Sequence, residues 1–388
     1  MNTNKEYQDK LVRLNAAVDG KEPDIVPVFP CLETWQYFVA GVNFVDAMTK
    51  DPDICFSAFK TVSDNVYLDA FFGTANSTPV KMISNFGQGL YTITENGIQI
   101  IGGHGKIMNE NEYPQLIADP LGFMLDTIIP RKYPRVLELK QNGQLLSTWG
   151  KGMKDLFGSL IYDKKVKKRI EKELNTPLFF RATSVMPGDV IFDFLRDFTG
   201  VTKDIRKRPE EFLEAEKSLI PVMINMVEGA WGKPDNTGVV LFPIHLPTYI
   251  RPQAFADYYF PAMKEMVRIL NEKGYSMAFA LENDWSHHID YLLDLPDARM
   301  IGIFEKGDLS EYKKLLNGKL TIMGGYQVDV FRYGTMDECI DEAKRCLDEY
   351  APGGNYIFGS SINLERAEDC SMEKLAAVCD YIHTNGKY

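Results

Sequence analysis

Five short apolar runs each end in residues that can bind metal, move protons or hold a polar substrate. They read VVLFPIH (239–245), SMAFALEND (276–284), RMIGIFEKGD (299–308), LTIMGGYQVD (320–329) and YIFGSSIN (356–363). At their ends stand His245, Glu282, Asp284, Glu305, Asp308, Gln327, Asp329 and Asn363. A carboxylate directly after a buried apolar run, as Glu282 follows MAFAL, costs several kcal/mol unless it is paired or metal-bound. His245 and Glu282 are therefore the first candidates for metal ligands or acid–base groups. Asp284 has a simpler alternative as the cap of a following helix.

These residues act together only if the runs are parallel strands. Helix-period segments separate most of them, and alternating strand and helix builds a parallel sheet buried on both faces. In a closed (β/α)8 barrel the carboxyl ends of the strands form one mouth, where the chemistry sits. The chain of 388 residues suits one such barrel with an N-terminal extension and an insertion. The opening helix is expected over 5–17 and the first strand over 24–29. The segment 81–108 changes period: LYTITENGIQIIGG alternates in twos about Asn96-Gly97, which predicts an inserted hairpin. KKVKKRIEKEL (164–174) reads as an exposed helix; a solvated face is the plain explanation, an acidic partner protein the other. Pro252 and Gly274 bracket a long helix, Thr335 and Glu338 form a capping box, and Ser371 caps the last helix.

Composition sets bounds. A net charge of −11 argues against nucleic acid or an anionic membrane as partner, and no run approaches a membrane span. The polar N-terminus and six scattered cysteines without a C-x-x-C pair are expected of a reduced, cytoplasmic protein. Cys339, Cys346 and Cys379 lie in helical patterns as small core residues, whereas Cys31, just past the first strand, is a candidate metal ligand. Asp69 in YLDAFFG is a candidate catalytic carboxylate, with a strand-end role as its alternative. Trp35, Tyr37 and Phe72 are candidate walls of a substrate pocket, and core positions otherwise. Gln327, Asp329 and Asn363 are candidate substrate contacts. His287 and His288 are adjacent, so both cannot face inward from one turn.

Several segments together resemble the uroporphyrinogen decarboxylase superfamily, most closely its corrinoid-linked methyltransferase and O-demethylase branch: RLNAAVDGKEPDIVPV (13–28), NEYPQLIADPLGF (111–123), FLRDFTGVTKDIRKRPEEFLEA (194–215), IRPQAFADYYFPAMKEMVRILNEKG (250–274), ALENDW (280–285) and PGGNYIFGSSIN (352–363). The resemblance spans nearly the whole chain and implies a β/α barrel. The decarboxylases hold a polycarboxylate porphyrinogen with arginines after the first strand, yet here no arginine lies between Arg13 and Arg131. Thiol-methylating members carry a His-x-Cys pair and a late cysteine; Ala280-x-Glu282 and a position near Ile362 stand there instead. The resemblance thus implies a zinc-dependent demethylase with oxygen and nitrogen ligands, for which His245 and Glu282 are the candidates; Cys31 is the further candidate from its position past the first strand. It would pass a methyl group from a methoxylated or methylated small molecule to a corrinoid held by a partner protein. Methyl transfer from a methylcorrinoid to a pterin or thiol, a metal-free decarboxylase, and a barrel that only binds a small molecule or corrinoid protein are the alternatives.

Overall fold

The computed structural model describes residues 4–74, 80–87, 91–94, 97–100, 107–133 and 135–388. Strands β1 (Tyr91–Thr94) and β2 (Gly97–Ile100) pair antiparallel as the expected hairpin, its turn residues Glu95 and Asn96 lying outside the described set. The main sheet runs β3 (Phe180–Thr183), β4 (Val239–Ile244), β5 (Met277–Asp284), β6 (Met300–Lys306), β7 (Thr321–Tyr326) and β8 (Tyr356–Ser360), each parallel to the next. Two very short staves close the circle. Val28 pairs with Phe358 of β8, and Phe71 pairs with Leu178 just before β3. The staves are joined to each other where Asp69 N–H donates to Val28 C=O at 2.8 Å. The result is the eight-stave barrel expected from the alternating pattern.

Strand pleating sorts the side chains, because successive residues point to opposite faces. Val239, Leu241, Ala278, Ile301, Ile303, Met323 and Ile357 form one interior cluster with Phe29 and Phe180. Their neighbours Val240, Phe242, Met277, Phe279, Phe304 and Ile322 belong to the larger core shared with the surrounding helices. The helix Lys5–Val18 plugs the bottom, contributing Tyr7, Leu11, Leu14, Ala17 and Val18 to the interior cluster. Asn4 caps its start, accepting from Glu6 N–H. The capping box of Thr335 and Glu338 and the Ser371 cap are present as read from the sequence.

Asp69 sits at the seam of the two short staves and not at the mouth. It is fully buried. One carboxylate oxygen meets Arg13 Nη1 at 2.5 Å and accepts from Tyr67 O–H; the other accepts from Val28 N–H at 2.7 Å. Arg13 also reaches Asp24 through two hydrogen bonds. The expected catalytic carboxylate is therefore a strand-closing one. Trp35 and Tyr37 are likewise fully buried, the indole N–H bonded to Cys370 C=O and the phenol to Thr74 C=O, so neither walls a pocket. Removing one member of a buried pair strands the other charge, at about 3–5 kcal/mol. Asp69→Ala is expected to lower stability by about that amount in urea unfolding, while Asp329→Ala, at an exposed carboxylate, changes it by less than about 0.5 kcal/mol.

Candidate active site at the barrel mouth

The interior parity of β4, β5 and β6, continued one pleat past Pro243, Ala280 and Ile303, delivers His245, Glu282 and Glu305 to the mouth. His245 Nε2 lies 3.1 Å from Glu282 Oε1, and His245 Nδ1 lies 2.7 Å from Asp193 Oδ2. Asp193 comes from the segment Val190–Arg196, which continues the short helix Pro187–Asp189 after β3. One turn earlier, buried Asp189 accepts from the backbone N–H groups of His245 (3.2 Å) and Leu246 (2.7 Å) and from Tyr259 O–H (2.6 Å). One helical stretch thus holds both the backbone and the ring of His245. Gly188 permits this approach: a Cβ there would lie 2.6 Å from both Glu216 Oε1 and the Tyr259 ring.

Burial opposes the charged imidazolium, but the hydrogen bonds of Asp193 and Glu282 outweigh it and push His245 up to about 11. Asp189 is pushed up to about 7 by burial and by the Asp193 charge, against the pull of its hydrogen-bond donors. Glu33 is raised by burial first, then by Glu365 and Glu282, and Glu365 is raised by burial, Asp369 and Glu282. These carboxylates lie close enough to repel one another.

A cavity of about 410 Å³ opens beside this cluster, lined by Glu282, Glu305, Asn363, Glu365, Arg366, Asp369 and Arg332 among others. Asn363 donates to Glu33 at 2.7 Å, and Glu305 accepts from Asn283 N–H at 2.7 Å. Arg332 is bonded to Asp369 at 2.7 Å. Of the other expected contacts, Gln327 precedes the helix Val328–Tyr333, and Asp329 is exposed within it beside Arg332; both lie on the rim but do not line the cavity. Phe72 is half-buried, packed edge-on against Phe180 at 4.8 Å beside the interior cluster. Asp284 and Asp308 serve as turn and helix caps, accepting from Ser286 and Glu311 N–H. His288 is buried against Phe255 and Trp285, and His287 is exposed. Asp193, Glu33 and Glu365 were not singled out from the sequence, since their partners lie far away in the chain.

A family model for uroporphyrinogen decarboxylase matches residues 155–385. The chain belongs to that family. A methyltransferase from Methanosarcina mazei shares the fold, with a TM-score of 0.63 at 14% identity over 96% of this chain and 98% of that one. No curated protein matches the sequence. Among the described residues, no helix is long and apolar enough to cross a membrane.

The zinc ligands expected of this family member are only half assembled. His245 Nε2 and Glu282 converge, and Asp193 on Nδ1 is the kind of partner that orients a metal-binding imidazole. A catalytic zinc takes three protein ligands, and among the described residues no group of three or more His, Cys, Asp or Glu is arranged to hold a metal. Cys31 is fully buried in the interior cluster, its thiol pushed up to about 12 by burial and by Glu33, which disfavours the ligating thiolate. The donor set does not fit a zinc ion as it stands.

The arrangement instead holds a proton on His245. A raised pKa means that the pairing stabilises the fold fully below the unfolded value near 6.5 and that this contribution is lost as pH rises through about 11. NMR titration of His245 is expected to show imidazolium throughout the neutral range, and Asp193→Asn to bring its titration down toward the ordinary value. A neutral His245 at pH 7 in the unaltered protein contradicts this geometry.

Proposed function

We propose that this protein catalyses transfer of a methyl group from a small neutral or cationic methylated molecule to a corrinoid carried by a partner protein. The carrying observation is the placement of His245, its Nδ1 2.7 Å from Asp193 and its Nε2 3.1 Å from Glu282, beside an acidic cavity. The fold shared with a methyltransferase is consistent with it. The cavity wall offers Glu282, Glu305, Glu365 and Asp369 against Arg332 and Arg366, and Arg332 is already bonded to Asp369. That balance repels the many carboxylates of a porphyrinogen, which need bidentate arginine partners. It tolerates a neutral ether and favours a methylated amine.

The corrinoid supplies the nucleophile that takes the methyl carbon. The bond from that carbon to oxygen or nitrogen breaks, and its electron pair stays on the departing heteroatom. His245 Nε2 gives its proton to that atom, Asp193 keeps the ring oriented, and Glu282 places the proton at the cavity wall. Positioned acid catalysis of this type contributes about 10²–10⁴-fold. The zinc expected from the sequence would draw on His245 and Glu282, and no step above depends on it.

Single-turnover assays with methoxylated aromatics and methylated amines, using a reduced corrinoid protein as acceptor, test the reading. His245→Ala is expected to lower the rate about 100-fold or more, with retained folding by circular dichroism. A chelator is expected to leave the rate unchanged. Loss on chelation with recovery on zinc would transfer the role of His245 from acid to ligand. Decarboxylation of uroporphyrinogen without methyl transfer would overturn the proposal.

A further inference from the structure

The helix Leu145–Glu173 is apolar on two faces, and among the described residues only one of them is covered. Its inner face packs Trp149 on Phe86 at 4.9 Å, sets Gly152 against the same ring, and buries Val166 and Ile170 in the main core. Its outer face presents Leu146, Met153, Phe157, Leu160 and Ile161 to solvent, Leu146 being 85% and Phe157 57% exposed. Apolar side chains on both faces of a surface helix mark a helix that is covered on both.

Spacing identifies the cover. Leu146, Gly150, Met153, Phe157 and Leu160 follow one another at intervals of four, three, four and three, the 3.5-residue period of a coiled-coil seam. No described residue lies within 4 Å of where a Cβ would stand at Gly150 or Gly158, so a facing helix can approach closely. The flanks decide which helix. Lys154 and Lys168 flank the seam, Lys164 continues it, and Lys151 and Lys165 lie one position outside it, all exposed; the acids nearby are engaged, Asp155 with Asn85 at 2.8 Å and Asp163 with Lys167 at 2.7 Å. Leu160, Lys164 and Lys168 continue into a cleft of about 1170 Å³ at the foot of the barrel. A second copy would set lysines against lysines in either orientation, which like-charge repulsion disfavours.

We infer that this seam docks an acidic amphipathic helix of another protein, with apolar residues at its a and d positions and glutamates or aspartates at e and g. The inference is independent of the methyl-transfer reading, because the seam lies outside the barrel mouth.

The probe is a fluorescein-labelled four-heptad peptide with Leu at a and d and Glu at e and g, titrated into the full chain. Binding is expected, weakening as salt rises. Phe157→Glu is expected to weaken it about tenfold or more, as is the double variant Lys164→Glu with Lys168→Glu, which in turn gains affinity for the same peptide with Lys at e and g. Circular dichroism of the variants checks the fold. Absence of binding, or equal binding of the acidic and basic peptides, overturns the inference. So does a dimer of the unaltered chain in sedimentation that Phe157→Glu dissociates, since the occupant would then be a second copy.

Discussion

The barrel depends on one buried ion pair. The stave before Cys31 and the stave before Phe72 are too short to form ladders, and a sheet left open there would expose unpaired backbone on both edges. Asp69 supplies what the ladders lack: its backbone N–H donates to Val28 C=O, and its carboxylate accepts Val28 N–H in return. Arg13, reaching up from the helix that plugs the barrel, neutralises that carboxylate and ties it to Asp24. Burial pushes Asp69 upward and Arg13 leads the forces that pull it back. A hydrophobic residue at 69 would fill the volume but could not return the hydrogen bond to Val28.

Closure has a chemical consequence. With the circle complete, the interior parity of each strand is fixed, and a one-residue slip would turn the whole inward set outward. His245, Glu282 and Glu305 share that parity because Pro243 pairs with Ala280 and Ala280 with Ile303. Glu33 arrives from beyond the first short stave and Glu365 from beyond β8, so the seam that Asp69 holds also brings these two carboxylates to the mouth. An acid in this setting is favoured in its protonated form by its neighbours, and His245 is flanked by one carboxylate on the helical segment after β3 and one near the end of β5.

Much of the fold was legible because it is periodic. Alternating runs, the helix caps at Thr335 and Ser371, and the pairing of β1 with β2 all express local rules. His245 and Glu282 were legible for the same reason: each ends an apolar run. Asp69 was misread because an acid next to apolar residues signals either chemistry or a buried pair, and its partner lies 56 positions away. Trp35 and Tyr37 were misread because an aromatic after a strand looks the same whether it walls a pocket or fills a core. Asp193 carried no signal of its own. In FDFLRDF it is one of two aspartates in a mixed stretch, and only the tertiary placement of that stretch against β4 gives it a role.

That placement explains why likeness of fold says little about chemistry here. The barrel supplies a mouth, and many reactions use such mouths. This one is shaped by a turn of helix after β3. Asp189 and Asp193, four residues apart, lie on the same side of that turn; one clamps the backbone that starts the loop after β4, and the other clamps the ring that loop carries. The turn can approach only because residue 188 has no side chain and Tyr259 reaches across to share Asp189. A substitution anywhere in Gly188, Asp189, Tyr259 or Asp193 would therefore be felt at His245, although of these only Asp193 touches the ring. The proton at the mouth is a property of this packed turn as much as of the histidine that holds it.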